Sequence, residues 1–485
     1  MISQFQISLS YNHLECRSRY KRMSHRLAAW IDARRVFCFM VRKNIILFPA
    51  MCLSALCVTT AAVSQIRPEL EVREITLDEI VGLAKQNNLA LKMNRQDSII
   101  ADEGIKNAKM ARAPYLNVGA YYNYVGDPVL YRDFYSDDTT INYYDHQTSW
   151  NISAGVPIYF GGKIRTQIAQ SEVASQIQNE MLQMNDRQLK LSMITQFYSL
   201  YRLYREVEII DANISSVQLN IRQLESRVAN GQNLISDLSR TRLQLSNFEI
   251  QVFNTWNNID LLSNYLSIQT GLPANTRFKP VSVDLAIPDE PLQLAQCLDE
   301  AYNNRNEIRQ SEMQRHYSEL SLKMTRSNFM PNLSGNALYS SDLPVPGTFP
   351  PEPDFLNYWI VGVGLSYDLS SLYNLNHRIR AGKAQIDRDD LNMEQVRKDI
   401  DQEVKSAYIH FLESKTNIEA YKKNVDLAEL NYRITKSKYD NEFALIIDMI
   451  DAEVQVNDSR LSLNKAIIET IVQYYSLQYS IGKLN

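Results

Sequence analysis

The chain has 485 residues, 45% hydrophobic and 22% charged, an ordered composition that argues against a disordered or fibrous protein and leaves room for two or three domains. Its formal charge of −4 hides a split: residues 1–64 carry nine Lys or Arg against Glu15 and Asp32, or +7, which leaves −11 for the rest. So acidic a body argues against a general nucleic-acid binder.

The first feature in chain order is an address. "MVRKNIILFPAMCLSALCVTTAAVSQ", beginning at Met40, has a basic start at Arg42 and Lys43, then an apolar stretch, then a small-residue exit at Ala62-Val63-Ser64. That is the grammar of a secretory signal peptide, with a single transmembrane anchor as the competing reading. The stretch ahead of Met40 fits neither and points to an over-long start. Cys57 is a candidate for lipidation, although Leu56 before it fits poorly. Cys16, Cys38, Cys52 and Cys57 all fall in the removed segment, so Cys297 is left alone and no intrachain disulfide is expected. Cys297 itself reads as a small buried hydrophobe in a helix.

The body opens with a short helix at "LDEIVGLAKQNNLAL" from Leu77. Two strand-like segments follow, a weak one at "LNVGAYYNY" from Leu116 and a strong one at "WNISAGVPIYF". In the second, Trp150, Ile152, Ala154, Val156, Ile158 and Phe160 alternate with Asn151, Ser153, Gly155, Pro157 and Tyr159. Then the punctuation stops. No Pro occurs between Pro157 and Pro273, and from Lys163 to Thr270 the only Gly is Gly231. Such a run predicts long helices. Ile210, Ile214, Val217, Ile221, Leu224 and Val228 form a heptad seam, and Leu245, Phe248, Val252, Thr255, Ile259, Leu262 and Leu266 continue it after Gly231. At ~1.5 Å per residue the helix from Lys163 to about Val228 would be on the order of 100 Å long.

The sequence then runs through the same order again. A short helix at "LAQCLDEAYNNRNEI" from Leu294 precedes a weak strand at "LSGNALYS" from Leu333 and a strong one at "WIVGVGLSYDL". There Trp359, Val361, Val363, Leu365, Tyr367 and Leu369 alternate with Ile360, Gly362, Gly364, Ser366 and Asp368. From Lys383 to Ile481 there is neither Gly nor Pro. "APYLNVGA", which starts at Ala113, matches "MPNLSGNA", which starts at Met330. Asp237, Gln244, Leu266 and Gly271 match Asp448, Gln455, Leu477 and Gly482 at one constant offset. A tandem duplication is the economical reading. It divides the chain into an extension and signal (1–64), a first repeat (65–272), a linker (273–292) and a second repeat (293–485).

Each strong strand is about ten residues long with one apolar face, the size of a membrane-spanning β-strand; a soluble sheet edge is the alternative. Four strands cannot close a barrel, and an open edge in lipid leaves backbone groups unpaired. The chain is therefore expected to pool strands with copies of itself. A trimer would give twelve.

Here the residues carry a resemblance. The duplicated layout, "PYLN" and "PNLS", "VPIYFGGK" at 156–163, "GQNLISD" at 231–237 and "NEFALIIDMIDAE" at 441–453 resemble the TolC-like outer membrane efflux proteins over about residues 75–485. The resemblance implies a mixed α and β membrane protein. As a homotrimer it would build a 12-stranded β-barrel in outer membrane lipid and a long α-helical barrel in the periplasm. It also implies an exit duct for small molecules, served by a periplasmic adaptor and an inner-membrane pump. A channel for type I protein secretion is the alternative within the family, and a secreted coiled-coil scaffold or adhesin without a pore is the alternative outside it.

"LIIDMIDAEV" at 445–454 puts Asp448 and Asp451 one turn apart beside Ile447, Ile450 and Val454. On spacing alone they read as acids favoured in a first helical turn. The resemblance implies instead that Asp448 and Asp451 ring a pore constriction, with Asp237 and Tyr439 tying the helices shut around it. Three chains would bring six carboxylates to one axis, a negative throat that draws cations. The resemblance also implies adaptor docking at the helix tips, around Gly231, Gln232 and Leu234 and around Glu442, Phe443 and Leu445. Two departures stand out. Glu442 occupies the place of a second tip glycine, so the second tip is expected to turn differently, and Ala444 stands where some relatives carry a basic gate residue.

The six histidines (13, 25, 146, 316, 377 and 410) show no paired-ligand spacing, and no phosphate-loop, dinucleotide or nucleophile-elbow motif is present. No enzyme, metal or cofactor is expected.

Overall fold

The computed structural model describes residues 71–126, 129–132, 137–140, 144–287, 293–348 and 352–484. The segment read as signal peptide, with Met40 and Cys57, lies outside the described residues.

Strand β1 (Glu71–Ile75) leads into α1 (Leu77–Asn87) and α2 (Leu89–Met110). Each helix is stopped and restarted by a capping side chain. The Thr76 hydroxyl accepts from the Glu79 N–H at 3.3 Å, and Asn88 Oδ1 accepts from the Leu91 N–H at 2.9 Å. Then come β2 (Tyr115–Tyr124), a hairpin of β3 (Val129–Arg132) and β4 (Asp137–Thr140), and β5 (His146–Phe160). Helices α3 (Lys163–Ala229) and α4 (Ile235–Thr270) follow, and β6 (Thr276–Pro280) closes the first half. The second half has α5 (Leu294–Asn304), α6 (Asn306–Ser327), β7 (Asn332–Leu343), β8 (Leu356–Ser366), α7 (Ser371–Asp440) and α8 (Ile446–Ser480). With 67 residues in α3 and 70 in α7, each long helix reaches about 100 Å.

The predicted seam is what joins α3 to α4. Ile210, Val217 and Ile221 are buried against Phe248, with Ile214, Leu245 and Val252 packed on them, and Leu224 is buried farther along α3. Fully burying side chains of this size is worth about 1.5–3 kcal/mol each. Farther along, β1 pairs in parallel with β6 from Glu71↔Thr276 to Ile75↔Pro280, a pairing that no local pattern announced. It puts Ile75 and Phe278, both fully buried, in one cluster with Phe197 and Leu200 of α3 and Leu266 of α4. The matching region of the second half gathers Cys297, Ala301, Val404, Phe411 and Leu477. Burial, chiefly, pushes the Cys297 thiol above its ordinary range, so it is the inert apolar filler its setting suggested.

The four membrane-length strands form one antiparallel sheet in the order β2-β5-β7-β8. Its registers assemble the alternating patterns into a continuous apolar face. Val118, Ile152, Tyr339 and Trp359 make one row, and Leu116, Ala154, Ala337 and Val361 the next. The Trp150 and Tyr339 rings lie 5.2 Å apart on this face. At the edge, Trp359, Val361, Val363 and Leu365 are 68–72% exposed, an apolar patch that water does not favour. The opposite face carries Tyr121, Ser149, Asn151, Ser340 and Asp342. The Tyr115 ring crosses Gly155 so closely that a Cβ there would sit 2.3 Å from it.

Several boundaries differ from the sequence reading. The alternation of β5 breaks at a bulge between Pro157 and Tyr159, as expected where Pro has no N–H for the ladder. Tyr159 therefore joins the apolar row with Leu333 and Leu365, and Phe160 turns to the other face. Strand β8 stops at Ser366 because Asp368 folds the chain: its Oδ1 accepts from the Ser370 N–H at 2.9 Å. Strand β7 runs on past the alternating segment to Leu343, and the antiparallel β3–β4 pair lies within the connection between β2 and β5. No described helix is long and apolar enough to cross a membrane.

Candidate functional site

The residues singled out in the sequence lie at the two helix reversals, α3 to α4 and α7 to α8. At the first, Asn230 ends α3, the Gly231 N–H donates to the Val228 carbonyl at 3.0 Å and the Gln232 N–H to the Arg227 carbonyl at 2.9 Å. This pair of bonds requires a left-handed residue, and Gly231 supplies φ +73. The second reversal repeats the pattern, with Glu442 donating to Tyr439 at 3.0 Å and Phe443 to Lys438 at 2.7 Å. Glu442 adopts φ 66. The expectation that Glu442 makes the second tip turn differently is thus corrected: the same hydrogen bonds enforce the same turn, on a residue that pays about 1 kcal/mol for the conformation.

Both returning helices begin alike. Asp237 Oδ2 accepts from the Leu234 N–H at 3.4 Å, and Asp448 Oδ2 accepts from the Leu445 N–H at 3.0 Å, each satisfying one orphan amide of a helix start. Asp448 and Asp451 are exposed, as are Gly231, Gln232 and Glu442. Leu234 and Leu445 are each 69% exposed and Phe443 84%, so both tips present unpartnered apolar side chains. Beneath Asp448 and Asp451, the buried stripe is Ile446, Met449 and Ile450 with Val454 against it, rather than the expected line through Ile447. Tyr439 packs on that stripe, and the Arg227 guanidinium lies 5.4 Å from its ring centre. Tyr439 therefore touches both hairpins, whereas Asp237 serves its own helix. Among the described residues no hydrogen bond joins the two within the protomer.

Sequence reasoning missed a polar junction two turns behind the second tip. Glu453 of α8 is buried, and the Ser216 hydroxyl of α3 donates to its Oε1 at 2.8 Å. One turn on, buried Asn213 donates through Nδ2 to Asn457 Oδ1. The signal was available. Ile446, Ile450, Glu453 and Asn457 recur at heptad spacing, so an acid and an amide occupy seam positions.

Among solved structures, the outer-membrane protein VceC of Vibrio cholerae superposes with a TM-score of 0.68 at 15% identity, over 84% of this chain and 96% of that one. The CmeC outer membrane channel of Campylobacter jejuni gives a TM-score of 0.70 at 14% identity, over 84% and 85%. The curated outer membrane protein TolC of Salmonella enteritidis is 21% identical over 415 residues, 84% of this chain and 82% of its own length. The model of the family described as "Outer membrane efflux protein" matches residues 80–266 and 297–483. Those stretches make up well over half of the sequence: the chain belongs to the outer membrane efflux protein family, which resides in the outer membrane of Gram-negative bacteria with its long helices in the periplasm.

Proposed function

We propose that the protein is the exit duct of a tripartite efflux system, carrying small molecules from an inner-membrane pump and a periplasmic adaptor to the outside. The observation that carries this reading is the open sheet. Its apolar face suits lipid, yet β2 and β8 each have one sheet neighbour among the described residues. Strands β2 and β7 run one way and β5 and β8 the other. Setting β8 of one copy against β2 of the next continues the antiparallel order without a break, and three copies close a barrel of twelve strands.

Two repeats, 65–272 and 293–485, each supply one strand pair and one helical hairpin. The equal lengths of α1 and α5, 11 residues each, and of α2 and α6, 22 each, support their common origin. In the assembled tube Asp448 and Asp451 line the periplasmic constriction, Tyr439 and Asp237 brace it, and the exposed Leu234, Phe443 and Leu445 dock the adaptor. The 125–145 and 341–355 connections face outward.

The test is the mass of the complex in mild detergent together with its conductance. Three chains and a cation-preferring pore are expected, and a monodisperse monomer with its full β signal overturns the reading. Protease added to intact cells cuts at 125–145 or 341–355; cleavage within 225–235 with those segments protected inverts the topology.

A further inference from the structure

A buried carboxylate at a junction of three helices is costly unless it is neutral or paired. Glu453 meets this condition near the α7–α8 reversal. From α3 it faces the Ser216 hydroxyl at 2.8 Å, with the Asn213–Asn457 amide pair one turn on. From α7 it faces the Tyr432 phenol and the Lys436 ammonium, which itself sits 5.8 Å from the Tyr432 ring centre. The Ser216 hydroxyl also acts on the Tyr432 phenol, so it stands between α3, α7 and α8, and Asp440 adds a further negative charge near the phenol. No carboxylate–ammonium ion pair neutralises Glu453 among the described residues.

We propose that Glu453 is a positioning residue for the tip, a proton-operated clasp: as a neutral acid it holds α8 against α3 and α7, and as a carboxylate it lets α8 part from them. Burial pushes its carboxyl above the ordinary 4.5, while the Ser216 hydroxyl and Lys436 pull the other way. A group raised on folding stabilises the packed state fully below its unfolded value. That contribution fades as pH climbs through the folded value. Acid therefore tightens the junction and rising pH loosens it. The link to conduction rests on the proposed gate at this tip.

The experiment follows amide hydrogen exchange over 446–456 in the intact assembly from pH 8 to pH 5, corrected for intrinsic rates, alongside single-channel recording. In the wild type, protection rises on acidification, by up to about tenfold per pH unit inside the titration window. Glu453→Gln, which keeps the shape and cannot ionise, gives high protection at every pH. Ser216→Ala removes a donor to the carboxylate and moves the midpoint to higher pH. A wild-type pH profile in Glu453→Gln, or an unmoved midpoint in Ser216→Ala, overturns the clasp. Exchange that follows the proposal while conductance ignores pH leaves the clasp standing and removes the gate from this tip.

Discussion

The two helical hairpins share a backbone and differ in what fills it. At the positions that the duplication aligns, Ile210, Val217, Leu224, Phe248 and Ile259 of the first correspond to Tyr421, Ala428, Thr435, Ser459 and Thr470 of the second. The first hairpin is held by a continuous apolar seam. The second keeps a short apolar stripe at its tip and then turns polar, with Glu453 and Asn457 buried against α3. Apolar contact has no titratable switch, whereas a junction built on an ionisable group can be loosened by the loss of a single proton. A fixed hairpin and a releasable one are therefore cast on the same turn.

The comparison breaks most readily at Phe248. Phe248→Ala should cost the first hairpin about 3–5 kcal/mol, while Ser459→Ala, at the corresponding place, should change stability by less than about 0.5 kcal/mol. Hydrogen exchange over 238–252 and 449–463 reads both, and equal losses would mean that the hairpins are held alike. The next effect separates the turns. Gly231→Val should destabilise the first tip by about 1–2 kcal/mol and weaken adaptor capture, because a β-branched residue resists positive φ. Glu442→Gly should tighten the second by up to about 1 kcal/mol, seen as slower exchange at Phe443 and Leu445. Smallest in stability is the cap pair. Asp237→Ala and the Asp448→Ala, Asp451→Ala double variant should each cost about 1 kcal/mol or less, yet only the second should lower cation preference and block by multivalent cations from the periplasmic side. Equal ion selectivity before and after the double substitution would return both acids to a purely capping role.

What the sequence could disclose depended on how local the cause was. The 163–229 helix was legible because its residues forbid nothing helical and repeat every seven positions, and the sheet because each strand declares its own two faces. The β1–β6 pairing was not, since its partners stand at opposite ends of the first half and each is too short to show a period of its own. The second turn was hidden for another reason. Glu442 carries no compositional mark of a left-handed residue, and the bonds from Glu442 and Phe443 to the end of α7 hold it there at about 1 kcal/mol. At the tips, Asp448 was legible as a helix-start acid, whereas the burial of Glu453 depends on α3, which belongs to the other half of the chain.

The outer edges of β2 and β8, each without a second sheet neighbour among the described residues, bear on the order of events in biogenesis. In the hydrocarbon layer each unsatisfied backbone group costs several kcal/mol, and both edges present a row of them. A lone protomer can therefore wait at the membrane surface but gains nothing by entering. In the proposed three-copy barrel, recruitment of further copies can come no later than insertion, and until then the exported chain offers two open strand edges that favour pairing with other strands.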